Sequence, residues 1–104
     1  MITAKFFMRE AVPVGFDVSG HSGYADAGSD IVCAAVTSAV CLCECAVNDM
    51  FFANADVTVC EEDARVVLKL TKSCPEAEKV IEALKLQLRE IEREYSQYIQ
   101  VLEV

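Results

Sequence analysis

The segment GHSGYADAGSDIVC, residues 20–33, joins a glycine-rich loop to the start of an apolar helix. It contains the chain's only histidine, His21. Three of the chain's four glycines also lie here: Gly20, Gly23 and Gly28. Glycine tolerates backbone angles that other residues avoid, and the segment shows no hydrophobic periodicity. Residues 20–28 are therefore predicted to form a loop that can change conformation.

An apolar helix is predicted to follow this loop, from Ile31 to about Met50. Ser29 or Asp30 is a good N-cap, since a short polar side chain there accepts a backbone N–H of the first turn. The run is apolar nearly all round, so we expect a helix sandwiched inside the fold. Polar side chains interrupt it, and its most apolar part is shorter than the roughly 20 residues that span a bilayer. No membrane association is predicted.

Two β-hairpins are predicted, one on either side of this helix. Residues 2–9 are rich in β-branched and aromatic side chains, and residues 14–19 alternate apolar with small or polar ones after a turn near residues 10–13. Residues 57–60 and 65–70 flank an acidic turn and have the same strand-like composition.

A second helix is predicted to start at Ser73, which is followed by an early proline and, three residues on, by Glu76. Its apolar residues recur every three or four positions, which indicates one buried face. Continued to residue 104, this helix would be about 45 Å long, longer than a domain of this size is wide. We expect a break near Ser96, with residues 98–101 docked as an irregular or extended tail.

The order of these elements predicts an α+β fold, ββαββα, with a mainly antiparallel sheet of about four strands and two main helices. A length of 104 residues, 54% of them apolar, fits one domain spanning residues 1–104. The net charge of −8 argues against nucleic-acid binding, which needs clustered lysines and arginines. The first residues lack the pattern of a secretory signal, so a cytoplasmic protein is expected.

The six cysteines raise the question of a disulfide scaffold or a metal site. On a helix, residues two apart point about 200° away from each other, so Cys41, Cys43 and Cys45 do not converge. Zinc sites usually use paired C-x-x-C or clustered Cys and His ligands, which this chain lacks. We expect reduced, buried thiols and no metal or other cofactor. Cys60 and Cys74 are assigned to packing together with those three.

Cys33 differs from the others because it lies about three residues after the helix cap. There the unpaired N–H groups and the positive end of the helix dipole favour a thiolate. His21, 12 residues upstream across the loop, can act as base toward the thiol and then as acid toward a leaving amine. The free N–H groups of residues 31–33 are candidates to stabilise an oxyanion. Spacing alone also allows a surface His21 and a Cys33 that only packs in the core.

Two further residues are candidates for a supporting role. Asp30 either orients the imidazole of His21 or only caps the helix. Thr37, one turn beyond Cys33, either borders the pocket or bonds back to a helix carbonyl.

Residues 20–23 (GHSG) and 28–37 (GSDIVCAAVT) closely resemble the signature of Prp, the ribosomal-processing cysteine protease family of bacteria. Residues 84–101 resemble that family's closing helix and tail. The resemblance implies that His21 and Cys33 are the catalytic pair, that the protein is a homodimer, and that residues 20–28 are a mobile loop beside the site. It also implies the substrate, a large-subunit ribosomal protein whose short N-terminal extension is removed by cutting after a hydrophobic-aromatic sequence.

Two other classes of function are compatible with the sequence. One is a non-catalytic dimeric module that binds peptides or ribosomal components, with the loop as a clamp. The other is thiol-based redox or metal sensing, which would use several cysteines together.

Overall fold

The computed structural model describes residues 1–26 and 28–104, and its centre is a five-stranded sheet with two helices. The strands are β1 (Ile2–Arg9), β2 (Val12–Ser19), β3 (Asp56–Cys60), β4 (Arg65–Lys69) and β5 (Ile99–Glu103), in the order β3-β4-β2-β1-β5. All neighbouring strands are antiparallel except β1 and β5, which are parallel. The prediction of an α+β fold with a mainly antiparallel sheet is confirmed.

The first hairpin shows why the sequence forms these strands. Along β1, Ile2, Ala4 and Phe6 are buried while Lys5 is exposed, which is the alternation of a sheet covered on one face. The register with β2 shifts between Phe7 and Met8, at the point where Pro13 would otherwise have to donate an N–H to the ladder. Both predicted hairpins are present.

The first helix, α1, spans Ile31–Glu44 and continues as a wider π-helical segment, Cys45–Met50. The expectation that it is sandwiched inside the fold is wrong. One face is buried, while on the opposite face Ile31 is 53% and Leu42 is 72% exposed. Uniform apolarity does not determine which neighbours cover a helix, and here α1 packs mainly against the second helix.

Among the described residues, only the span 31–50 is long and apolar enough to cross a membrane.

The second helix, α2, spans Pro75–Glu94. Its N-cap is Cys74 rather than the predicted Ser73, and the Glu78 carboxylate accepts the Cys74 N–H at 3.3 Å. The buried residues form one stripe, Ala77, Ile81, Leu84, Lys85, Leu88 and Ile91. This stripe faces the protein's own sheet, because α2 lies over β2 and β5.

The chain leaves α2 at Tyr95, in agreement with the break expected near Ser96. The tail is a fifth strand rather than an irregular segment, because β5 pairs with β1 from Ile2↔Ile99 onward. Side chains of α2 fasten it further. Lys85 Nζ lies 3.0 Å from Glu103 Oε1, and Glu92 Oε2 accepts the Val101 N–H at 2.7 Å.

Leu88 tests the packing of α2 on the sheet. It is fully buried, and replacing a buried leucine by alanine leaves a cavity. We expect Leu88→Ala to lower the free energy of unfolding by about 2–5 kcal/mol in urea denaturation. Leu86→Ala is the matched control, because Leu86 is exposed on the same helix, and it should change stability by less than about 0.5 kcal/mol. Equal effects of the two variants would contradict the described helix orientation.

Candidate functional site

A groove of about 1150 Å³ opens beside the N-terminal part of α1. Its lining includes Val18 of β2, Val66 of β4 and Val59 of β3, which remains exposed at the sheet edge. All seven residues singled out in the sequence line this groove: Gly20, His21, Gly23, Gly28, Asp30, Cys33 and Thr37. Ala27, which belongs to the predicted loop, lies outside the described residues. The fold therefore brings the loop and the helix start to one opening.

Cys33 is half-buried and lines the groove rather than being enclosed in the core. It is the third residue of α1. Its Sγ accepts a hydrogen bond from the backbone N–H of Ser22 at 3.3 Å. The sulfur is therefore held by the loop and faces an open groove.

The carboxylate of Asp30 connects the helix to the loop. Asp30 is the N-cap of α1, and its Oδ1 accepts the Cys33 N–H at 2.9 Å. Its Oδ2 accepts the Ser22 hydroxyl. These bonds, the one from Ser22 first, hold the pKa of Asp30 at about 2, below its ordinary value of 3.8. Among the described residues, Asp30 does not bond to the imidazole of His21, so its observed role is that of a cap.

The backbone donors at the start of the helix are less available than predicted. The Cys33 N–H is taken by Asp30, and the Ala34 N–H donates to the Asp30 carbonyl at 3.1 Å. The expectation that free N–H groups through residue 33 hold an oxyanion is therefore wrong for Cys33, because the cap uses that donor.

His21 is exposed and lines the same groove. Within the part of the chain that the structure describes, its imidazole makes no hydrogen bond. The backbone nevertheless fixes its neighbourhood. A peptide bond joins the His21 carbonyl carbon to the Ser22 nitrogen, which donates to Cys33 Sγ, so the His21 Cα lies at most about 6 Å from the sulfur. This backbone distance is short enough for an imidazole side chain to span.

The three loop glycines all have positive φ angles. Gly20 shows most clearly why, with φ +94° and a backbone so close to Met1 that a Cβ would lie 2.5 Å from the Met1 carbonyl oxygen. Its N–H also donates to the carbonyls of Asp63 and Ala64 in the turn between β3 and β4. The loop thus begins at a position where a side chain does not fit.

Several residues of the site were missed by the sequence analysis. Ser22 is 3% exposed although its loop neighbours are exposed. Its position next to the only histidine is the sequence feature that could have identified it as part of the site. Tyr24 packs edge-on against Tyr95, with the two ring centroids 5.7 Å apart, and against Tyr98, with the centroids 5.2 Å apart. No local pattern connects these rings, because they are about 70 residues apart in the chain.

The other cysteines have varied surroundings. All six are free thiols. Cys43, on the buried face of α1, has its pKa raised to about 12 by burial and by the charge of Glu44. Cys41 and Cys45 are exposed on the helix surface, so the expectation of buried thiols is wrong for both. Among the described residues, no group of three or more His, Cys, Asp or Glu side chains is arranged to hold a metal ion.

The charged residues that line the groove are mostly acidic. Asp30, Glu44 and Glu61 line it, and the whole chain carries a net charge of −8. The guanidinium of Arg65 also lines it, but its charge is offset by Asp17, whose carboxylate lies 2.5 Å away. Such a groove favours peptides with basic residues over acidic ones.

A family model described as Peptidase_Prp, cysteine protease Prp, matches residues 1–100 of the chain. No curated protein sequence matches.

Solved structures share the fold over the whole chain. One is an essential ribosomal processing protease, Prp, from S. aureus in complex with a covalently linked product peptide, with a TM-score of 0.95, 20% identity and full coverage of both chains. The same protein in complex with a substrate peptide gives a TM-score of 0.88 at 19% identity, again with full coverage of both. SMU.848 from Streptococcus mutans gives 0.85 at 21% identity, with 100% of this chain and 94% of that chain covered.

The lowered pKa of Asp30 makes its contribution to stability dependent on pH. Folding favours the charged carboxylate, so the stabilisation is complete above about pH 4 and is lost as the pH falls through about 2. We expect wild type to be more stable than Asp30→Asn in urea unfolding at pH 6, with the difference shrinking between pH 4 and pH 2. A difference that stays constant over this range would contradict the described hydrogen bonds.

Proposed function

The chain belongs to the Prp family of cysteine proteases and is a cysteine peptidase, and on this premise we propose that Cys33 is its nucleophile and His21 its general base and acid. The observation that carries the proposal is the hydrogen bond from the Ser22 N–H to Cys33 Sγ. This bond places the peptide unit that follows His21 directly against the sulfur at an open groove.

The reaction follows from these two side chains. The imidazole of His21 takes the proton of the Cys33 thiol, and the thiolate attacks the scissile carbonyl carbon to form a C–S bond. The carbon–nitrogen bond then breaks, while the imidazolium gives its proton to the leaving amine. Water attacks the thioester carbonyl and loses a proton to His21, and the C–S bond breaks. The Cys33 sulfur recovers a proton and the cycle is complete.

The remaining site residues hold this pair in place. Asp30 caps the helix that carries Cys33, and Thr37 borders the groove one turn further along. The loop glycines, Gly20, Gly23 and Gly28, supply the backbone angles that carry His21 to the opening.

The proposed substrate is the N-terminal extension of a large-subunit ribosomal protein, cut after a hydrophobic-aromatic sequence. Two observations support it. The S. aureus protein of the same fold is a ribosomal processing protease crystallised with substrate and product peptides. In this chain the groove has valines in its lining and carboxylates among its polar residues, which suits apolar side chains from the body of a basic protein.

A homodimer in the bacterial cytoplasm completes the proposal. The six free thiols fit a reducing compartment. The outer face of α1 and the turn after it expose a series of large apolar side chains: Ile31, Leu42, Met50, Phe51 and Phe52. A second copy would cover this apolar face, because such surfaces are usually contact sites.

The nucleophile and base are tested with a peptide that covers the ribosomal-protein extension, with products identified by mass spectrometry. We expect Cys33→Ala to abolish cleavage and His21→Ala to lower kcat/KM by at least about 100-fold. Cys45→Ala, which changes an exposed cysteine in the π-helical segment that continues α1, should cleave like wild type. Cleavage by Cys33→Ala would refute the assignment of the nucleophile.

The dimer is tested by placing a charge on the apolar face. Leu42→Glu should shift the molar mass in light scattering from two chains toward one, since a buried unpaired carboxylate opposes association. Leu86→Glu changes an exposed leucine on α2 and should leave the mass unchanged. A wild-type mass of one chain would overturn the proposed dimer.

A further inference from the structure

We propose that Ser22 is a positioning residue for the reaction, one whose hydroxyl bonds to Asp30 and so holds the Ser22 N–H on the sulfur of Cys33. This inference rests on the proposed function in that it takes Cys33 to be the nucleophile. It adds a residue outside the catalytic pair, and a specific hydrogen-bond arrangement through which that residue acts.

The first step of the argument is the burial of Ser22. A serine in a glycine-rich loop is normally hydrated, yet this one is 3% exposed while His21 and Gly23 on either side are exposed. A buried polar group is stable only when it is hydrogen-bonded. Its hydroxyl donates to Asp30 Oδ2 and accepts the Tyr24 N–H at 3.1 Å. The hydroxyl is thus used both as donor and as acceptor.

The second step is that three residues form a closed ring of hydrogen bonds. The Ser22 N–H donates to Cys33 Sγ at 3.3 Å, the Cys33 N–H donates to Asp30 Oδ1 at 2.9 Å, and the Ser22 hydroxyl donates to Asp30 Oδ2. Because the ring is closed, the donor on the sulfur keeps its place only while the other two bonds hold.

The third step is the chemistry of the bond to sulfur. An N–H donor binds a thiolate more strongly than a thiol, since hydrogen bonds to charged acceptors are stronger. The Ser22 N–H therefore favours the reactive form of Cys33 and fixes its direction. Removing the hydroxyl leaves Asp30 Oδ2 and the Tyr24 N–H without their partner, and the loop that carries His21 loses its side-chain link to the helix.

The fourth step is that contacts outside this ring of hydrogen bonds also hold the loop in place. Tyr24, whose N–H bonds to the Ser22 hydroxyl, packs against Tyr95 at the end of α2 and against Tyr98 just before β5. The loop is thus fixed on both sides of Ser22, by Cys33 and Asp30 on one side and by the aromatic contacts on the other.

The test compares Ser22→Ala with Ser22→Thr, which keeps a hydroxyl, and with Ser29→Ala, an exposed loop serine. Iodoacetamide labelling of Cys33 is followed by mass spectrometry from pH 5 to pH 10, and peptide cleavage is measured in parallel. For Ser22→Ala we expect labelling at pH 7 to slow about tenfold, its half-maximum to move to higher pH, and kcat to fall about tenfold with little change in KM. Ser22→Thr should recover most of both losses, and Ser29→Ala should match wild type.

Labelling and cleavage separate the two proposals. If wild type does not cleave the peptide but Ser22→Ala still slows labelling of Cys33, the proposed substrate fails and the role of Ser22 at the Cys33 sulfur stands. If Ser22→Ala labels and cleaves like wild type, the role of Ser22 is overturned whatever the substrate. A general loss of structure is recognised by faster labelling of Cys43, which is buried in the native fold.

A second measurement needs no substitution at Ser22. Hydrogen exchange followed by NMR on wild type should show the Ser22 amide exchanging at least about tenfold more slowly than the Gly23 amide, because the former is bonded to sulfur. Cys33→Ala should remove this protection. A Ser22 amide that exchanges as fast as that of Gly23 in wild type would overturn the proposal even if Ser22→Ala does not fold.

Discussion

The carboxylate of Asp30 is the point at which loop and helix are joined. One oxygen takes the N–H of Cys33 and the other takes the hydroxyl of Ser22, so a single side chain fixes both the helix start and the loop that approaches it. Sharing its charge between two donors holds its pKa at about 2. The carboxylate therefore stays ionised throughout the pH range in which the protein is expected to work, and protonation does not break the hydrogen bonds between loop and helix.

Much of the fold follows from local sequence patterns. The features that these patterns did not predict depend on contacts between residues far apart in the chain. The two hairpins, the end of α2 and the apolar stripe on that helix all follow from alternation, capping and turn residues within a few positions of each other. The pairing of β5 with β1 joins residues about 97 positions apart, as in Ile2↔Ile99, and no local pattern encodes it. The exposure of one face of α1 was missed for a similar reason, since hydropathy does not reveal what covers a helix.

The same division holds for the candidate site. The capping and spacing patterns predicted Asp30 at the start of α1 and Cys33 in its first turn, as the structure shows. In the structure all seven candidate residues line one groove. The groove itself was not predictable. It lies between α1, which packs mainly against α2, and strands β2, β3 and β4, which contribute Val18, Val59 and Val66 to its lining. The contribution of Val59 and Val66 therefore depends on the arrangement of whole elements.

The use of both Asp30 oxygens has a consequence for the imidazole. A carboxylate that caps the helix and binds the loop hydroxyl can orient a histidine only by releasing one of these donors, and a released buried donor is costly. The position of His21 is therefore set by its own backbone, through the peptide unit that Ser22 holds against Cys33. Because Tyr24 fixes the far side of that loop against Tyr95 and Tyr98, the packing of the chain's C-terminal segment is connected to the geometry at the sulfur. In the proposed mechanism, proton transfer by His21 thus depends on the order of the loop rather than on a third polar partner.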